Sequence, residues 1–142
     1  MKPTIFLRIA AVLTLIHSIL HTIGGVFGKP LPGPAEQAVA AMKANHFMFL
    51  GSPRTYWDFY IGFGLGITIF LTVEAIVFWL LGSLARTESA RLRPILAAFA
   101  LGYLAFAVNS FRFFFLFPVI VELLIAFCLV LAFLTARKQS PA

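Results

Sequence analysis

Four apolar stretches, each close to or beyond twenty residues, run through this chain and limit its folding more than any other feature. They cover about 4–27, 56–81, 92–111 and 113–135, with Pro118 as an alternative start for the last. A helix needs ~20 residues to cross ~30 Å of hydrocarbon. An unclosed chain can cross only as helix, because each helix satisfies its own backbone hydrogen bonds there. The composition agrees: 11% of the residues are charged, against about 25% in a soluble domain. The mean hydropathy is +0.99. The expected fold is all-α, a bundle of four transmembrane helices forming one membrane domain over 1–142.

The net charge of +6 does not imply a nucleic-acid partner, because the basic residues sit at the ends of the apolar stretches. There they act as topology determinants and headgroup contacts. Lys2, Arg8, Arg86, Arg91, Arg93, Arg137 and Lys138 fall at the N-terminus, the second loop and the C-terminus. Lys29, Lys43, Arg54 and Arg112 fall in the first and third loops. Seven against four places both termini in the cytoplasm. Met1-Lys2 and Arg8 resemble the start of a secretion signal, but the apolar run passes Leu20 without a clear cleavage site, so a retained span is expected. The single Cys128 excludes an intramolecular disulfide and reads as a buried small apolar residue.

The first loop opens with Gly28-Lys29-Pro30-Leu31-Pro32-Gly33-Pro34, which ends the first helix. A short amphipathic helix is expected over 35–50, with Val39, Met42, His46 and Phe49 on one face. It would lie in the membrane interface, or cover the outer end of the bundle as a lid with His46 pointing inward. The third loop is short and nearly all Phe around Arg112. It would sit at the outer interface or close one end of a lipid-facing pocket.

The polar residues inside the spans are the pointers to function. His17 and His21 are four apart, so they share a helical face. Intramembrane histidines are expensive and turn toward a bundle interior or a wet cavity. Asp58 near the start of the second helix, Asn109 near the end of the third and Glu122 in the fourth lie at a similar depth. Together they predict a polar pocket in the outer half of the bundle, with His17, His21, Asp58 and Glu122 as its catalytic centre. His46, Asn109, Arg112, Trp57 and Tyr60 are candidate ligand-binding residues around it. Each has a plainer reading. The histidines and Asn109 can bind neighbouring helices, Asp58 can stabilise a helix N-terminus, and Arg112 can reach the headgroups. Glu122 is the hardest to dismiss, because a carboxylate in an apolar helix needs a partner or a proton. Glu74 lies ~24 Å beyond Asp58 and about 160° around the helix, so it is expected outside the pocket, paired with Arg86 or Arg91 in the simplest reading, or else marking an oligomer contact or a second half-channel site. The pairs Gly24/Gly28 and Gly62/Gly66 suit close helix packing.

This residue set excludes some chemistries and leaves others open. His17 and His21 with Asp58 or Glu122 could hold zinc or another divalent metal. A haem is less expected, since the second to fourth helices carry no His for an opposite axial ligand. There is no nucleophile elbow and no phosphate-binding loop. A histidine with Glu122 could act as general acid and base on a lipidic substrate, as an isomerase or hydratase needs.

The stretches from His17 to Gly25 and from Ser52 to Leu65, with Phe117-Pro118, resemble an uncharacterised bacterial family of small four-helix integral membrane proteins. That resemblance implies four spans and an inner-membrane location, and supplies no activity. The plan is also distantly similar to DoxX-like and EXPERA-like proteins, by architecture alone. The leading functional expectation is binding or acid–base transformation of a small hydrophobic molecule: an isoprenoid, a quinone or a lipid. The alternatives are a proton- or metal-linked carrier, for which a homodimer would enclose more volume than four short helices alone, and a non-catalytic subunit of a membrane complex.

Overall fold

The computed structural model describes residues 2–136, so Arg137 and Lys138 lie outside the described residues. The described chain runs through α1 (Pro3–Leu20), a π-helical turn (His21–Val26), α2 (Pro34–Ala44), β1 (His46–Phe49), β2 (Ser52–Thr55), α3 (Tyr56–Leu84), a 3₁₀ turn (Ser89–Leu92), α4 (Arg93–Phe113) and α5 (Leu116–Thr135). Four helical segments are long and apolar enough to span a membrane: Pro3–Val26, Tyr56–Leu84, Ser89–Phe113 and Leu116–Thr135. The shortest, at 20 residues, extends about 30 Å, the thickness of the hydrocarbon core. The protein is therefore a multi-pass membrane protein with the expected four-helix plan.

Contacts gather the elements into two units, one made of residues up to His17 with those from Leu71 onward, the other of Ser18–Phe70. The first unit packs helices through stripes with heptad spacing. Leu71, Ala75, Phe78, Gly82 and Ala85 form the stripe of α3 and the residues just after it; Leu96, Ala100, Tyr103, Ala107 and Ser110 form that of α4. Glu122, Ile125, Leu129, Ala132 and Ala136 continue the pattern through α5. A 3.5-residue repeat keeps one seam against its neighbours in a left-handed bundle, and the alanines let the backbones approach closely. α4 and α5 are joined by Phe114 and Phe115 alone and lie antiparallel: Arg93 Nη1 donates to Ala136 O at one end, and Ser110 bonds Glu122 near the other. Arg8 donates to Ser83 Oγ at 2.8 Å and lies 3.5 Å from the Trp79 ring centroid. The N-terminus of α1, the α3–α4 connection and the end of α5 thus share one end of this unit.

In the second unit the end of α1 and the π turn run antiparallel to the first half of α3. Ser18 Oγ donates to Thr68 O, and Tyr60 OH donates to Gly25 O. Gly64 is where these segments meet most closely, since a Cβ there would lie 2.8 Å from Val26 Cγ2. This corrects the glycine reading of the sequence at three positions, since a Cβ at Gly24, Gly62 or Gly66 would meet nothing within 4 Å, whereas one at Gly28 would run into the carbonyl of Gly24 in its own turn.

The amphipathic helix is also shorter than the expected 35–50, ending at Ala44. Asn45 closes it, with both its backbone N–H and its side-chain amide donating to Ala41 O. The chain from His46 to Thr55 is an antiparallel hairpin instead, with His46 opposite Thr55 and Phe49 opposite Ser52. Its two-residue turn, Leu50-Gly51, has φ of 48° and 81°, the positive pair of a type I′ turn matched to strand twist. The aromatic residues decide between helix and strand. Phe47 and Phe49, two apart, fall on one side of β1, where Phe47 stacks on Phe59 with ring centroids 5.9 Å apart and Phe49 meets it edge-to-face at 5.4 Å. A helix would have pointed them about 200° apart.

Candidate functional site

The polar groups buried in the first unit occupy the same stripes that pack it. On α1 the inward positions Leu7, Ala10, Ala11, Thr14 and His17 change from apolar to polar along the helix. On α4, Tyr103 and Ser110 interrupt a line of alanines; on α5, Glu122 begins the line that continues through Ile125 and Leu129. Regular helical spacing thus gathers Thr14, His17, Tyr103, Ser110 and Glu122 in the interior, together with half-buried Glu74 from α3.

Glu122 is the centre of this arrangement. Its side chain is 1% exposed, and its Oε1 accepts a hydrogen bond from Ser110 Oγ at 2.8 Å. His17, also buried, places Nε2 3.9 Å from the same oxygen. That distance is too long for a direct hydrogen bond but within range of strong electrostatic attraction in a low dielectric. Direct proton transfer would need an approach of about 1 Å, to the 2.6–3.2 Å separation such a step requires, or one bridging water. Glu122 Oε2 is buried and has no hydrogen-bond partner among the described residues. A buried carboxylate oxygen without a donor is costly.

A second cluster lies one turn away along α1. Tyr103 OH donates to Glu74 Oε2 at 2.6 Å. Its only proton is committed there, so in the 3.4 Å contact between Thr14 Oγ1 and Tyr103 OH the threonine is the donor. Phe106 bridges the clusters: its ring lies 6.2 Å from the ring of His17 and 6.5 Å from that of Tyr103. Glu74 therefore takes a tyrosine hydroxyl instead of the expected arginine, and Arg91 pairs with Glu88 at 3.3 Å. Glu74 stands far from Asp58 along α3, as sixteen residues of helix require, but Tyr103 brings it into the same polar interior as His17 and Glu122 instead of leaving it outside. Tyr103 and Ser110 were legible in principle, as polar residues on the a/d stripe of an otherwise alanine-rich helix.

The other residues singled out in the sequence have different surroundings. Asn109 and Arg112 are exposed on α4, and the neighbour Ser110 is the residue that turns inward. His21 belongs to the second unit, where its Nε2 lies 3.1 Å from Gly64 O. A carbonyl can only accept, so this nitrogen carries a proton and offers no lone pair to a metal. Asp58 caps α3. Its Oδ2 accepts from both the backbone N–H and the hydroxyl of Thr55, and Asp58 N donates back to Thr55 Oγ1. This reciprocal pair is a capping box, so the helix-terminus reading of Asp58 has a concrete geometry. His46 is exposed on β1, off the helical face expected to carry it. Trp57 stacks on Tyr60 with ring centroids 5.1 Å apart. Among the described residues, no three or more His, Cys, Asp or Glu side chains are grouped to hold a metal ion.

No family model, curated protein or solved structure matches this chain, so its function has to be argued from its own geometry.

Proposed function

We propose that the His17–Glu122 pair is an intramembrane acid–base centre that exchanges a proton with a small hydrophobic molecule entering from the bilayer. The observation that carries this reading is Glu122 itself: one carboxylate oxygen is held by Ser110 and faces His17, and the other is buried without a hydrogen-bond partner among the described residues. A carboxyl group so placed can donate or accept a proton at Oε2, while Ser110 fixes its orientation through Oε1. His17 is the nearby group that can share that proton or balance the charge left behind. An isoprenoid, quinone or lipid with one polar group would supply the missing partner to Oε2. Native mass spectrometry of protein released gently from membranes tests this, with a denatured control. A small hydrophobic mass that is present on the wild type and lost in Glu122→Gln and His17→Ala, with helicity retained, is the expected result. A bare chain mass from the wild type would defeat the ligand reading.

A second reading is favoured by the cluster around Tyr103. Hydroxyl and carboxyl groups at Glu74, Tyr103, Thr14, Glu122 and Ser110, with the imidazole of His17, extend the polar interior about 10 Å along α4, the seven-residue rise from Tyr103 to Ser110. Such a line suits proton passage coupled to transport. Proton uptake into proteoliposomes under an imposed gradient, abolished by both Glu122→Gln and Tyr103→Phe, would identify a carrier.

A further inference from the structure

We infer that the cleft between the π turn and α2 binds the phosphodiester headgroup of an anionic membrane phospholipid. It lies within the second unit and is independent of the His17–Glu122 reading. Its volume is about 410 Å³, within the range of small-molecule sites. Its position is set by two span ends: Val26 and Phe27 come from the turn that closes the first span, and Trp57 from the first turn of α3. Lipid phosphates lie at this level, and aromatic residues such as Tyr56, Trp57 and Tyr60 favour it.

The lining is amphiphilic in the same sense as a lipid head on its acyl chains. Val39 and Ala40 of α2, with Val26 and Phe27, supply apolar wall, while Lys29, Lys43 and Glu36 supply charge. Lys43 is held in place, its Nζ 4.6 Å from the Trp57 ring centroid. That cation–π contact orients the ammonium without using up its hydrogen-bond donors. Two lysines and one glutamate leave a net charge of +1, which matches the single negative charge of a phosphodiester. Glu36 can only accept hydrogen bonds when ionised, so it favours a headgroup carrying hydroxyls, such as glycerol, over the donor-free choline. Inorganic phosphate would leave the apolar wall unused.

The probes are short-chain phosphatidylglycerol, phosphatidylcholine and sodium phosphate, titrated into the full chain in non-ionic detergent. In a Trp79→Phe background, Trp57 is the only tryptophan reporter. The expected result is a saturable fluorescence change with phosphatidylglycerol and at least about tenfold weaker binding of phosphatidylcholine. A near-surface lysine contributes roughly fivefold in affinity, so Lys29→Gln with Lys43→Gln should raise Kd about 25-fold. Val39→Phe, which fills the cleft while keeping both lysines and the single tryptophan, should also block binding. Unchanged affinity in the double lysine variant overturns the inference. So does equal affinity for phosphatidylcholine, or competition by sodium phosphate at the concentration of the lipid, which would mark a free-anion site.

Discussion

The pairing of His17 with Glu122 can be tested as an energy, by a double-mutant cycle on His17→Ala and Glu122→Gln. Glutamine keeps the carbonyl that Ser110 bonds, so the substitution removes charge and leaves that contact. At 3.9 Å two unit charges attract by about 1 kcal/mol in bulk water and about 4 kcal/mol at an effective dielectric of about 20. Interhelical hydrogen bonds between neutral groups in membranes give couplings of about 0.6 kcal/mol, with a maximum near 1.7 kcal/mol. The charged arrangement therefore predicts a coupling above about 2 kcal/mol, separable from an ordinary polar contact. The assay is reversible unfolding in mixed micelles at neutral pH for the wild type, both single variants and the double variant. A coupling at or below about 0.6 kcal/mol would refute the charged pair and leave the two residues as helix-packing groups.

Three further outcomes follow from other parts of the structure. Thr55→Ala removes the hydroxyl that accepts from Asp58 N and donates to Asp58 Oδ2, leaving only the backbone N–H of residue 55 on that carboxylate, and should cost about 1 kcal/mol, read as a lower unfolding midpoint, whereas Thr55→Ser should restore it. Gly64→Ala drives a Cβ against Val26 and should cost about 1–3 kcal/mol by overpacking, while Gly66→Ala, which meets open space, should change stability little; equal effects would contradict the close approach at Gly64. Tyr103→Phe removes the donor to Glu74 at 2.6 Å and should cost about 1–2 kcal/mol, with the largest local change in hydrogen exchange on α3 and α4 around those residues.

Much of the fold was legible because hydrophobic length and period are local properties. The four spans emerge from runs of apolar residues, with ends moved by a few positions, as where α3 continues to Leu84 and α4 to Phe113. The hairpin at His46–Thr55 was not legible. Val39, Met42, His46 and Phe49 fit a helical period, and only the packing of Phe47 and Phe49 on Phe59 overrides it. The candidate site divides in the same way. His17 and Glu122 announced themselves as polar groups in apolar helices, where solvation alone makes them conspicuous. Asp58 was equally conspicuous, yet its carboxylate is engaged by Thr55, three residues away. Tyr103 and Ser110 escaped notice because tyrosine and serine are common in membrane helices and signify little until a partner is known.

By itself the sequence determined that this chain crosses a membrane four times as helix, since a bilayer core offers no other partner for an open chain's backbone. It also determined that charged groups placed there must be reconciled with one another. Which groups meet depends on the rotation of each helix about its axis, and neither hydropathy nor spacing sets that rotation. Tertiary packing set it here: alanine-rich stripes on α4 and α5 turn Ser110 and Glu122 toward each other and leave Asn109 and Arg112 outside. The same packing gives Glu74 to Tyr103 and puts His17 beside Glu122.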